Sequence, residues 1–305
     1  MSKLVWSLSL FIVIGSACAR SPTSKEHVAL AYALGGKGDR SYNDAASGAV
    51  GVLKSRGVVV DEYEPSSMED YSRGLEALAA RRPAVVFCVG FLYEEPVKRT
   101  APKYPGIDFV ILDGSFSAAP NVTSVKFLAF EGSRLAGHVA AQATRTRHVA
   151  FIGGMDIPVI REFRDGFAAG IRDAASDVNL ASYFLGTGGS AFTDPVRGRE
   201  VALSAIAAGA DVLYHAAGTS GNGVIQAARE RGVWAIGVDV DQGYLAPSTV
   251  LTSMLKRLDV AIVRVTDLRQ RVGRLGGKSL SFGLADSAVA LTPLSSAAMV
   301  PAPRK

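Results

Sequence analysis

The sequence predicts an α/β protein made of two doubly wound parallel-sheet lobes joined by a hinge, and three observations carry that prediction. Short apolar runs at 28–32, 58–62, 85–89, 109–112, 149–152, 212–215 and 234–238 have the length of buried strands. Between them lie Ala-, Leu- and Arg-rich stretches with helical spacing, such as 45–56, 71–80, 130–145, 162–173 and 196–208. Strands alternating with helices make βαβ units. The alternation starts afresh near Arg147 with a new strand and a Gly153-Gly154 turn, so the 305 residues divide in two.

The chain begins with a basic segment at 1–3 and an apolar run at 4–14 that is too short to span a bilayer, the pattern of a secretory signal peptide. Gly15, Ser16 and Ala17 then precede Cys18, which resembles a bacterial lipoprotein box, with Gly15 where an aliphatic residue is usual. Two routes follow: lipidation of Cys18 as the first mature residue, or ordinary cleavage with Cys18 incidental. The first anchors the protein by lipid to the extracytoplasmic face of a bacterial membrane, and both export it to the cell envelope. Residues 1–17 are assigned to the signal, 18–26 to a polar, Pro-containing tether, 27–125 with 254–305 to the first lobe, and 126–253 to the second.

After the first strand comes Gly35-Gly36-Lys37-Gly38-Asp39-Arg40-Ser41-Tyr42-Asn43-Asp44, a loop that opens a helix. Its glycines permit sharp turns, while Asp39, Ser41, Tyr42 and Asn43 bring carboxylate, hydroxyl, aromatic and amide groups to one place. It has neither the spacing of a dinucleotide fingerprint nor the ending of a P-loop, so it reads as a recognition loop for a polar, ring-bearing small molecule. Asp39 either caps the helix or contacts the ligand. Further polar or Gly-rich strand ends lie at 89–91, 112–114, 153–156, 216–221 and 237–242. In parallel sheets these gather at the carboxyl edges, and two such edges facing each other form a cleft.

Composition narrows the function. With 48% hydrophobic and 20% charged residues the chain can bury a large core. The net charge of +5, which becomes +4 once the signal takes Lys3 away, is mild and scattered, unlike the patch that nucleic acid requires. Cys88 sits in the apolar run 85–89 and reads as a buried free thiol, so neither a disulfide nor a cysteine metal site can be built. The four histidines, His27, His138, His148 and His215, have no metal-ligand spacing, and there is no Gly-x-Ser-x-Gly elbow. No metal, cofactor or catalytic set is expected.

Seven segments in register over nearly the whole mature chain are similar to the basic membrane protein family of substrate-binding lipoproteins. They start at Gly35, Val89, Ala101, Gly153, Ala217, Gly237 and Leu251. The resemblance implies a type I periplasmic-binding-protein fold, a monomer that takes a nucleoside (guanosine, inosine or adenosine) between its lobes, and delivery to the permease and ATPase subunits of an ABC importer. Alternatives kept open are another small ring-bearing ligand and an exported nucleoside-processing hydrolase.

Roles follow from the same resemblance. Tyr42, where the family usually has Phe, stacks on one face of the base or else packs in the core, and Tyr214 is the candidate for the other face unless strand alternation turns His215 to the cleft instead. Asp113 accepts hydrogen bonds from base ring nitrogens, or closes an Asx turn with Gly114. Asp239 and Lys256 hold the ribose hydroxyls, or form an interlobe salt bridge. Asn43, Phe91, Met155 and Gly218 complete the expected ligand-binding set.

Overall fold

A computed structural model describes residues 26–116 and 119–295. Cys18, the signal segment and nearly all of the tether lie outside them. The described residues form two six-stranded sheets.

The first sheet takes β1 (His27–Ala31), β2 (Val59–Tyr63), β3 (Val85–Val89), β4 (Asp108–Leu112), β5 (Val122–Phe127) and β11 (Ser279–Phe282), in the order β11-β5-β4-β3-β1-β2 and wholly parallel. The second takes β6 (His148–Met155), β7 (Asn179–Gly186), β8 (Val212–Ala216), β9 (Trp234–Asp239), β10 (Val250–Lys256) and β12 (Val289–Leu291), in the order β12-β10-β9-β8-β6-β7. Only its edge pair, β10 with β12, is antiparallel.

Position in the sheet accounts for the residue pattern. The central strands β3 and β4 are buried along their whole length, so both faces are apolar and the runs Val-Val-Phe-Cys-Val and Phe-Val-Ile-Leu are continuous. Burial pushes the Cys88 thiol well above its ordinary pKa, which leaves it a small hydrophobe of the core. The edge strands β2 and β7 are half-exposed and carry polar residues.

Helices cover both faces. α1 (Tyr42–Ser55), α2 (Asp70–Ala80) and α3 (Glu94–Thr100) flank the first sheet, and α8 (Leu258–Val272) packs on α1. The second sheet carries α4 (Ala129–Ala143), α5 (Pro158–Ala174), α6 (Pro195–Ala207) and α7 (Ser220–Arg231). α4 and α5 approach to backbone contact: a Cβ on Gly170 would stand 1.9 Å from the Arg134 carbonyl oxygen.

Three segments cross between the sheets: Leu128 after β5, Arg257 after β10, and 283–288 between β11 and β12. They run side by side, the Leu128 N–H donating to the Phe282 carbonyl and the Arg257 N–H to the Ala288 carbonyl, each at 2.8 Å. Three parallel crossings of this kind make a hinge. Sheet membership corrects the expected division after 254. The end of β10 and all of β12 pair within the second sheet, and only α8 and β11 return to the first. A late β-strand that closes the edge of the other lobe has no signal in local sequence.

Candidate functional site

The carboxyl edges of both sheets line one cavity. The loop after β1 builds its first wall. Gly35, Gly36 and Gly38 have φ of 102°, 63° and 88°, conformations that side chains avoid. The Asp39 carboxylate accepts the backbone N–H groups of Ser41, Asn43 and Asp44 at 2.9, 2.8 and 3.1 Å, so it caps α1, and it also borders the cavity. Burial raises its pKa against the pull of those three bonds. The Asn43 amide ties the loop back to β1 through both polar atoms of Ala33. Asp39 and Asn43 therefore shape the wall first and present themselves to the cavity second.

Two aspartates face each other from equivalent places, Asp113 just beyond β4 and Asp239 ending β9. Both have left-handed backbones, with φ of 58° and 67°, a conformation that Asp tolerates better than most residues. Asp239 Oδ2 accepts from the Ser41 hydroxyl across the cleft at 2.5 Å. Burial pushes the Asp239 pKa up to about 6, with Lys256 and the Ser41 bond opposing the shift. Asp113 Oδ2 accepts from the Tyr42 hydroxyl at 2.7 Å and from the Lys256 ammonium, while Oδ1 is buried without a partner among the described residues. Lys256 is itself buried at the end of β10, its Nζ 5.0–5.3 Å from the ring centres of Phe163, Phe127 and Tyr42.

The expected interlobe ion pair thus exists with a different partner. Lys256 bonds Asp113, while Asp239 takes Ser41. Other bonds span the cleft as well: Gln242 Nε2 donates to the Arg40 carbonyl at 2.8 Å and Asn222 Nδ2 to the Asp39 carbonyl at 3.2 Å. The lobes are closed on each other.

Several expected residues line the cavity: Asp39, Tyr42, Asn43, Phe91, Asp113, Gly218, Asp239 and Lys256. Three stand elsewhere. Ser41 is fully buried and holds Asp239. Met155 is half-buried against the second lobe's own core. Tyr214 is a correction: its ring packs on Phe151 and Phe167 and its hydroxyl meets Ser133 Oγ at 2.9 Å, beneath the sheet on the α4 and α5 side. Strand alternation sends His215 to the opposite face, where its Nε2 meets Gln242 Oε1 at 3.0 Å. Burial lowers its pKa to about 4, which keeps it neutral.

The aromatic wall of the second lobe is instead Phe163 on α5 and Phe192 beyond β7, both of which sequence reading missed. A Cβ on Gly218 would come within 2.9 Å of the Phe192 carbonyl, so this glycine makes room for the Phe192 segment. Phe192 carried a signal, since it ends a strand–turn unit like the other cleft residues. β7 is too polar and half-exposed to be recognised as a strand, and the signal went unread.

Residues 26–301 match the family described as ABC transporter substrate-binding protein PnrA-like. The chain belongs to this family. It is 30% identical over 279 residues to a protein of Lactococcus lactis subsp. cremoris named ABC transporter nucleoside-binding protein BmpA, covering 84% of this chain and 78% of that one. It is 31% identical over 257 residues to basic membrane protein A of Borreliella afzelii, covering 82% and 78%. Among solved structures, an ABC transporter solute-binding protein from Aeropyrum pernix K1 superposes with a TM-score of 0.77 at 30% identity, over 88% of this chain and 76% of that one. The PnrA-like chain is therefore a substrate-binding protein of an ABC transporter with a two-lobed type I periplasmic-binding-protein fold, and is not an enzyme. Substrate-binding proteins of this kind work outside the cytoplasm.

Proposed function

We propose that this protein is the nucleoside-binding lipoprotein of an ABC importer, taking a purine nucleoside between its lobes and delivering it to the permease and ATPase subunits. The observation that carries this reading is the composition of the closed cavity. Aromatic rings from both lobes, Tyr42 and Phe91 on one side and Phe163 and Phe192 on the other, surround a buried carboxylate with an open acceptor, Asp113 Oδ1. A planar base fits between aromatic faces, each contact of that kind contributing ~1–3 kcal/mol, and a base N–H satisfies the acceptor. Asp239 and Lys256 stand at the same cavity, where a carboxylate and an ammonium complement vicinal ribose hydroxyls, which both donate and accept. The name of the Lactococcus relative supports the same ligand class.

Because closure buries these groups, ligand and hinge act together: a nucleoside that bridges Asp113 in one lobe and Asp239 in the other holds the lobes shut. The protein works as a monomer on the outer face of the membrane, held by a lipid on Cys18. Mass spectrometry of small molecules released by denaturing the purified protein tests the ligand class. A purine nucleoside is expected, and a cargo without a ring refutes the reading. Metabolic labelling with a fatty-acid probe tests the anchor, since Cys18→Ala should lose the label.

A further inference from the structure

The two oxygens of Asp113 are not equivalent. Oδ2 faces two donors, the Tyr42 hydroxyl at 2.7 Å and the Lys256 ammonium, which together occupy its lone pairs. The Tyr42 phenol remains a donor, because burial and the Asp113 charge hold its pKa well above the ordinary value. Among the described residues Oδ1 has no partner, on a side chain only 6% exposed that borders the cavity. An unsatisfied buried acceptor is costly, so a ligand that donates one hydrogen bond to Oδ1 gains most from this site.

We infer that Tyr42 sets the base preference: by holding Oδ2 it leaves Asp113 one open acceptor, which suits a base presenting a single lactam N–H, as hypoxanthine does, over guanine. This inference rests on the nucleoside reading above. Guanine presents two parallel donors, its ring N–H and the neighbouring exocyclic amine, and a carboxylate with both oxygens open would receive them as a two-pronged pair. Here the second prong meets an oxygen already facing two donors. The amine then loses its water without finding an acceptor, which a buried site penalises. Adenine turns a ring-nitrogen lone pair toward the same edge and has no ring N–H there to give, so only its exocyclic amine can meet Oδ1.

The Tyr42 hydroxyl is thus a selectivity element distinct from its ring. The ring offers a stacking face to any base, whereas the hydroxyl decides how many donors Asp113 can accept. Lys256 contributes to the same restriction, but it also pairs the charge of Asp113, so Tyr42 is the position at which selectivity can be altered without stranding a buried carboxylate.

Calorimetry on cargo-stripped protein with inosine, guanosine and 1-methylinosine tests the inference. Wild type should bind inosine at least about tenfold more tightly than guanosine, the size of one unmet hydrogen bond in a closed site. Blocking the donor in 1-methylinosine should cost at least about tenfold by the same argument. Tyr42→Phe frees a lone pair on Oδ2 and should narrow the inosine-to-guanosine ratio by about fivefold or more. Equal wild-type affinity for inosine and guanosine, or a ratio unmoved in a folded Tyr42→Phe protein, overturns the inference and leaves the nucleoside reading standing. Undiminished binding of 1-methylinosine to wild type overturns it without any variant. Failure of all three nucleosides to bind wild type overturns the nucleoside reading, and the inference falls with it.

Discussion

Replacing Lys256 with methionine probes how the closed state is held. The ammonium bonds Asp113 from the opposite lobe, and the two side chains are only 3% and 6% exposed. When the hinge opens, each partner regains water, so the pair acts on closure rather than on the folding of either lobe. Met keeps the volume and a favourable contact with the Phe127, Phe163 and Tyr42 rings. What it removes is the charge. Asp113 then enters the closed state with Tyr42 as its remaining donor, and breaking a buried pair on one side costs ~3–5 kcal/mol. Taking the lower figure because the Tyr42 bond survives, closure and hence ligand affinity should weaken by roughly 150-fold. Calorimetry with inosine reads the affinity, and small-angle scattering reads closure as a fall in the radius of gyration. A second variant, Lys256→Met with Asp113→Asn, removes the stranded charge and should recover compaction even where affinity stays low. A Lys256→Met protein that binds inosine within about threefold of wild type and compacts equally would refute the reasoning, since so small a loss is under ~1 kcal/mol.

Other outcomes test the remaining parts of the site. Asp239 has its pKa raised to about 6 in the closed form, against ~3.9 for an exposed aspartate. The closed form therefore binds more protons between those values, and lowering the pH from 7.5 to 5 should favour closure of ligand-free protein. Scattering should show compaction on acidification that Asp239→Asn abolishes; no difference between the two proteins would remove Asp239 as the cause. Guanosine or inosine should bind at least about tenfold more tightly than its 2′,3′-dideoxy analogue, because without the hydroxyls Asp239 and Lys256 keep only their Ser41 and Asp113 bonds and gain none from the ligand. Equal affinities by calorimetry would return both residues to a purely structural role. Tyr214→Phe should lower stability by ~1–2 kcal/mol in urea unfolding, through the orphaned Ser133 hydroxyl. Ligand affinity should be unchanged, and a large loss of binding in the folded variant would contradict the placement of this ring beneath the sheet.

Sequence alone determined a good deal of this protein, because the physics involved is local. Buried parallel strands must be apolar on both faces, which made β1, β3, β4, β8 and β9 readable as runs. Glycines beside polar groups at strand ends marked the loop at 35–44 and the ends at 113, 218 and 239 as cleft-facing, since parallel strands deliver their carboxyl ends to one edge. Tertiary structure decided the rest. β7 and β10 carry Ser, Thr or Asn and β12 is only three residues long, so only pairing with a neighbour makes them strands. Which aromatic faces the cleft depends on strand register and helix docking, so Tyr214 went under the sheet, Phe163 came to the cleft from a helix with no spacing to announce it, and Phe192 came from the turn after a strand too polar to be recognised. The choice of ion-pair partner was likewise beyond local reading. Asp113 and Asp239 are both strand-end aspartates, and it is the three-dimensional approach of β10 to the first lobe that gives Lys256 to one and leaves Ser41 to the other.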